Sequence, residues 1–472
     1  MRLYNGFRLI DFHYAHFLMV LVFFYIVFSV TQGALYSQIH TDEFWYVYEA
    51  RAIAEYSDVF NHRLPLQSYI YGVYGRFFGT DILTLRMLSA CLFILSIFIF
   101  IYFLIVVKKN NPTGVLLAVL IFCHPFLIDM AGTVTSYSLS FFLSMIFIIL
   151  FEQNKFYQAI VAFLSLYFTR YIVDFSIFVF PAATLFSKVN RKIYFNLSVL
   201  TILMVTILFM NESIFKNTFL FNLGVKDFQI ERGILSEDVF KRFIHLRKSE
   251  FLAFFMLLPV ILLLLINIKT KDLFSSKNLV YFIFIFGGFS YYWLTVNDYP
   301  ITKLIFFPFI AILVAKLAGA NLASKLTFIV VSVSFFYMPN LLLKNENIVK
   351  STNVCEFISC ESIGVLALNP IVASEFRSYI PGVPMELYSF AFDQKKHYDG
   401  LISSDRFVEL IRISLPEVVI IDSRLTGRKN MSQVFSDHQY NDILRSLHNN
   451  YKLKKGYFDS NFGEDFFIYV KV

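Results

Sequence analysis

The sequence predicts an α-helical polytopic membrane protein of about eleven transmembrane helices, followed by a small C-terminal α/β domain. Three observations carry that prediction. Of 472 residues, 57% are hydrophobic and only 16% charged, against roughly 45–50% and about 25% in soluble domains. Phenylalanine alone numbers 59, and a soluble fold of this length has too little interior to hide that surface, so lipid must be part of its solvent. Apolar runs recur at 14–36, 83–107, 114–131, 137–151, 156–169, 171–187, 195–213, 251–268, 279–296, 301–318 and 327–343, several of them near the lower limit for crossing a hydrocarbon core.

Loop charges supply the third observation. With a cytoplasmic N-terminus (Arg2, Arg8), the even-numbered spans return to the cytoplasm at Lys108-Lys109, at Lys155, at Lys188 with Arg191-Lys192, at Lys269 with Lys271 and Lys277, and at Lys316 with Lys325. The short loops on the other side carry only Arg170 and Lys303. That asymmetry is what the positive-inside rule requires. The net charge of +7 is therefore an orientation signal, and nucleic acid is not implied as a partner. The first run is long and lacks a small-residue cleavage site, which makes it an uncleaved span.

Residues 1–344 thus form a membrane domain with a first outer loop at 37–82, and a polar segment lies at 214–250. Residues 345–472 form a soluble domain on the same, periplasmic side as the first loop. In that tail, Ser362–Leu368 and Val418–Ile421 have the character of buried strands and Phe466–Val470 that of a closing strand. Asp405–Leu415 and Ser436–Tyr451 have that of helices. The tail lacks a glycine-rich phosphate loop, which argues against nucleotide binding. Cys91 and Cys123 fall inside apolar runs as small buried hydrophobes. Cys355 and Cys360 open the tail and either close a short disulfide loop in an oxidising compartment or remain thiols; two thiolates alone make an incomplete metal site.

The most informative stretch is the first loop. Adjacent carboxylates, Asp42-Glu43, stand just beyond the first span. Two segments with helical periodicity follow, and between them lies Asn61-His62-Arg63-Leu64-Pro65. Taken alone, this is equally an interfacial loop with solvated acids and a belt of aromatics.

The order of elements, however, resembles the GT-C glycosyltransferases, in particular the bacterial relatives of dolichyl-phosphate-mannose protein mannosyltransferases and the lipid A aminoarabinose transferases. In that family an Asp-Glu pair opens the first periplasmic loop. A Tyr and a small-residue helix follow, then a Pro-containing segment ending in Phe-Gly, then an Arg-containing entry to the second span. The matching elements are Asp42-Glu43, Tyr46, Pro65, Phe78-Gly79 and Arg86. The similarity continues more faintly in His124-Pro125, in Thr169-Arg170-Tyr171 and in Asn297–Lys303 before Phe306-Phe307-Pro308-Phe309. Two departures stand out. Thr135-Ser136-Tyr137-Ser138 occupies the place of a second acid at the start of the fourth span. His62-Arg63-Leu64-Pro65 occupies the place of a Glu-Lys-Pro-Pro stretch whose Glu binds a metal in the aminoarabinose transferases.

The resemblance implies a multi-pass enzyme of the bacterial inner (plasma) membrane that uses a polyprenyl-phosphate-linked sugar as donor. The sugar passes to a periplasmic acceptor, whether surface glycan, lipid A or protein. An acceptor hydroxyl needs a carboxylate to orient it and take its proton; the resemblance places Asp42 there, with Glu43 holding the loop or helping to bind a cation. The departing phosphate develops charge that calls for basic groups, and Arg63, Arg170 and Lys303 are the candidates. For Arg170 a local pair with Asp174, and for Lys303 snorkelling to the interface, are the structural alternatives. His62 either ligates a divalent cation together with Glu43, contacts the donor phosphate directly, or is an exposed loop histidine. The rival function, a transporter or flippase of lipid-linked saccharides, calls for ionisable residues in mid-span and inverted repeats, whereas Asp129, Arg170 and Asp174 fall near span ends.

Overall fold

The computed structural model describes residues 2–37, 39, 43–55, 66–169, 179–186, 191–210, 277–285, 306–317, 353–359, 361, 364–369, 372, 375–376, 404–423, 436–460 and 462–472. Asp42, His62, Arg63, Arg170, Lys303 and Cys360 lie outside that set, as do the segment 214–250 and the runs at 251–268 and 327–343.

The described chain is predominantly helical, and its long elements fall on the apolar runs. Helix α1 (Arg2–Tyr36) contains the apolar stretch Ala15–Tyr36. After the loop helices α2 (Glu43–Ala54) and α3 (Leu66–Phe78) comes α4 (Ile82–Tyr102), prolonged by a π-helical turn at Phe103–Val107. Among the described residues, these two apolar stretches are long enough to cross a membrane. At about 1.5 Å per residue the second reaches roughly 39 Å, more than the roughly 30 Å hydrocarbon core. Shorter helices follow: α5 (Pro112–Ile121), α6 (Pro125–Ala131), α7 (Ser136–Glu152), α8 (Phe156–Tyr167), α9 (Val179–Phe186), α10 (Arg191–Phe209), the helical stretch 278–285, and α11 (Phe307–Leu317).

The run at 114–131, expected as one span, is two helices. His124 takes an extended conformation (φ −59°, ψ 128°) because Pro125 disfavours the helical region for the residue before it; Pro125 then opens α6 at its first position. Gly132 closes α6 against α1, where an added Cβ would lie 2.7 Å from the Ala34 backbone nitrogen.

Phenylalanine fills the space between helices. Phe93 and Phe122 both meet Phe141, at ring separations of 4.7 and 5.2 Å, and Phe284 stacks on Phe309 at 4.0 Å. On the outer surface Phe17, Phe24, Phe28, Phe98, Ile202 and Ile207 are exposed. Monomeric soluble proteins rarely expose so broad an apolar surface.

A four-stranded sheet stands on the loop end of this bundle. Its order is β1 (Val365–Ala367), β2 (Val418–Asp422), β4 (Glu464–Lys471), β3 (Tyr451–Asp459), with β1 parallel to β2 and the other neighbours antiparallel. Side chains alternate across a strand. Val365, Ala367, Val418 and Ile420 face one core shared with Tyr46, Val47, Ala50 and Tyr71 of the loop helices. Leu366, Leu368, Val419 and Ile421 face the other, with α12 (Ser404–Glu409), its π-helical continuation Leu410–Ser414, and α13 (Asp437–Asn450). A strand buried on both faces reads as an unbroken apolar run, which is why β1 and β2 were visible in the sequence. Strand β3 was not: Tyr451-Lys452-Leu453-Lys454-Lys455 is a lysine-rich edge strand, whose charges discourage pairing with another chain. Cys355, just before the sheet, is disulfide-bonded. Cys91 and Cys123 are free thiols.

Candidate functional site

The first loop is held by a buried ion pair. Glu43 is the first residue of α2, where the helix dipole favours a carboxylate. Arg86 enters from the first turns of α4, and both side chains are fully buried. The guanidinium grips the carboxylate with two donors, Nη2 to Oε2 at 2.6 Å and Nε to Oε1 at 2.9 Å. Its remaining nitrogen, Nη1, donates to the Ser37 carbonyl at 2.7 Å, at the end of α1. One arginine therefore satisfies an orphan carbonyl of α1, fixes the start of α2 and anchors α4. The Val134 backbone N–H also donates to Glu43 Oε1, at 2.7 Å.

That last bond brings the turn between α6 and α7 onto the loop acid. The turn is lined with buried hydroxyls: Thr133 and Thr135 meet at 3.2 Å, and Ser138 donates to the Ala131 carbonyl at 2.9 Å. The hydroxyl-bearing Thr135–Ser138 segment, which departs from the family pattern, thus begins beside the Glu43 carboxylate.

The loop helices lock together by similar means. Gly72 of α3 passes so close to α2 that a Cβ would lie 2.6 Å from an Ile53 methyl. Gly79 turns the chain from α3 into α4 at φ +103°, a region that favours glycine. Arg76 caps α2 by donating to the Ile53 carbonyl, at 2.6 Å from Nη2. Glu49 is buried and accepts from the Ser68 hydroxyl. Tyr71 and Ser89 share a buried hydrogen bond of 2.6 Å; burial, with a smaller contribution from Glu43, pushes the Tyr71 phenol above its ordinary value, so it acts as a hydrogen-bonding group and not as an acid. Arg51 ties the loop to the tail through a 3.0 Å ion pair with Glu375.

Gln67 is different. It is fully buried at the start of α3, and among the described residues neither its carboxamide oxygen nor its nitrogen finds a hydrogen-bond partner. One residue before it, the Leu66 N–H donates to the Phe168 carbonyl at 3.3 Å, joining the start of α3 to the end of α8.

Of the residues singled out from the sequence, Glu43 is therefore in a closed ion-paired environment. Asp42, peptide-bonded to it, and His62, Arg63, Arg170 and Lys303 lie outside the described residues. Among the described residues, no group of three or more His, Cys, Asp and Glu side chains is placed to hold a metal. Glu49, Arg51, Gln67 and Ser68 escaped the sequence reading, because polar residues scattered among aromatics look like an exposed interfacial face until the sheet is laid on them.

Two crystal structures share this architecture from end to end: ArnT from Cupriavidus metallidurans in the apo state (TM-score 0.60) and the same protein bound to undecaprenyl phosphate (TM-score 0.61). Each comparison covers 95% of this chain and 97% of the other, at 11% sequence identity. The chain has the ArnT fold. ArnT is a GT-C glycosyltransferase, the lipid A aminoarabinose transferase, so the resemblance seen in the first loop extends to a likeness of the whole fold. No protein-family model matches the sequence, and no curated protein matches it.

Proposed function

We propose that this chain is a multi-pass inner-membrane glycosyltransferase that moves a sugar from a polyprenyl-phosphate carrier to a periplasmic hydroxyl on a surface glycan, lipid A or a protein. The observation that carries the proposal is the end-to-end likeness to ArnT, one of whose structures holds undecaprenyl phosphate. The residues give it a chemical form. Glu43, saturated by Arg86 and the Val134 amide, is a positioning residue that fixes where the chain leaves α1 and enters α2. Asp42, its neighbour, is the base that orients the acceptor hydroxyl and takes its proton as the sugar–phosphate bond breaks.

Arg63, Arg170 and Lys303 receive the departing phosphate. Supporting this, the Leu66–Phe168 bond anchors two of their segments together. Arg63 stands three residues before Leu66 and Arg170 two after Phe168, chain reaches of roughly 11 and 7 Å. The metal reading fits less well at Glu43, whose two oxygens already accept from Arg86; a second cation there meets a guanidinium. His62 is accordingly assigned to the donor phosphate, and no step is routed through a metal.

The test is Asp42→Asn, assayed in membranes with a polyprenyl-phosphate-linked sugar. Transfer is expected to fall by about 10²–10⁴-fold, the usual worth of a positioned general base, at unchanged protein level. Near-normal transfer by this variant removes Asp42 from the mechanism.

A further inference from the structure

The end of the bundle away from the loop carries a second charged cluster that the transfer reaction does not use. Glu152, the last residue of α7, is almost fully buried. Lys316 donates to its Oε1 at 2.9 Å, Tyr281 donates to the same oxygen at 3.0 Å, and Lys108 reaches Oε2 at 3.1 Å. Lys277 and Lys108 also donate to the Glu152 backbone carbonyl, at 2.9 and 3.1 Å. Four segments meet here: the end of α4, the end of α7, the start of the 278–285 helix and the last turn of α11.

Among the described residues the charges do not balance. Three ammonium groups gather at Glu152, two on its carboxylate and one on its backbone carbonyl, against a single negative charge. The negative end of the α7 helix dipole offsets only about half a charge. Burial is the main reason that the Lys277 ammonium is lowered to about 8; Glu152 pulls it upward, and the two neighbouring lysines lower it further. The lysines are not sealed off either, since the Lys108 and Lys316 side chains are 33% and 25% exposed. Immediately above Lys108 on α4, Tyr102, Val106 and Val107 present exposed apolar side chains, and Tyr157 does so on α8.

We propose that Lys108, Lys277 and Lys316 bind the phosphodiester of an anionic phospholipid in the leaflet that the positive-inside rule assigns to the cytoplasm. Basic clefts between helix ends on that side suit acidic headgroups. The adjoining apolar side chains select a lipid over a soluble phosphate, because an acyl chain covers them while the headgroup meets the lysines. The site stands independently of the proposed transferase reaction.

The experiment uses the full chain in vesicles of phosphatidylcholine, with and without phosphatidylglycerol. Phosphatidylglycerol is expected to raise the unfolding temperature of the wild type. The double variant Lys108→Met, Lys316→Met should lose most of that lipid-dependent shift. An equal shift in wild type and double variant overturns the site. Equal stabilisation by inorganic phosphate in pure phosphatidylcholine overturns the lipid assignment. If the double variant does not accumulate, native mass spectrometry of the wild type decides. Preferential retention of phosphatidylglycerol over phosphatidylcholine supports the site, and equal retention overturns it.

Discussion

Two buried glutamates, Glu43 and Glu152, mark opposite ends of the same helices, and they solve the cost of burial differently. Glu43 meets a single guanidinium whose planar fork matches its two oxygens, with a backbone amide added; the pair is neutral and sealed from solvent. Glu152 meets three lysines and a tyrosine at an end that is partly open. Arginine presents a rigid, bidentate donor set, while lysine is a point charge on a flexible stem. The first arrangement holds one geometry, as the loop proposed to carry the base requires. The second gathers more positive charge than Glu152 matches among the described residues, which suits the proposed exchangeable anionic partner.

The largest effect expected from this contrast is at the sealed pair. Arg86→Met strands a carboxylate in a dry site and should cost about 3–5 kcal/mol, read as a loss of folded protein or a large fall in unfolding temperature. Glu43→Met combined with Arg86→Met should recover much of that loss, because removing both charges is far cheaper than removing one. A double variant as unstable as the single one would break the view that charge matching, rather than shape, holds the loop.

Next in size is Glu152→Gln, which leaves three lysines facing one another. Because this cluster is partly open, salt should screen the repulsion and restore much of the lost stability. Arg86→Met should show no comparable rescue. Equal salt response at the two ends, in parallel melts at low and high ionic strength, would erase the distinction between a sealed and an open site.

A smaller effect is expected from alkaline titration. Lys277 is held at about 8 in the folded protein against an ordinary 10.5, so folding opposes its charged form. Its unfavourable contribution is full below about pH 8 and is relieved as pH rises from there to 10.5, where the unfolded chain still binds the proton that the folded chain has released. Wild type should therefore gain stability over that window relative to Lys277→Met. Parallel pH curves for the two proteins would remove Lys277 from the cluster's charge balance. Glu152 has the opposite sense. Although burial, the largest influence, raises its carboxyl, Lys316 and Lys108 together hold it below the ordinary 4.5; its support is present above that value and fades as pH falls through the lowered one.

The smallest effect is at Gln67. Methionine there removes an unpaired buried amide and should stabilise the protein by about 1 kcal/mol. If transfer in membranes falls instead while stability rises, Gln67 contacts substrate and belongs with Asp42. If neither changes, its amide carries no energetic consequence in this fold.

The helical class and the positions of the long described helices were legible in the sequence, as was the order of first-loop elements on which the site proposal rests. These depend on local quantities: the length of an apolar run, the sign of charge in a short loop, and the order Asp42-Glu43, Pro65, Phe78-Gly79, Arg86. It also showed β1 and β2, whose two buried faces make unbroken apolar runs, but not the charged edge strand β3. The role of Glu43 emerges from packing alone. Its partners are 43 and 91 residues away, at Arg86 and Val134, and nothing in the local pattern distinguishes a solvated loop acid from a sealed ion pair. The same holds for Glu152, which stands in sequence as an ordinary residue at a helix end. Its lysines lie 44, 125 and 164 residues away. Burial and charge balance are sums over neighbours brought together from distant parts of the chain, so they exist only once the helices have packed.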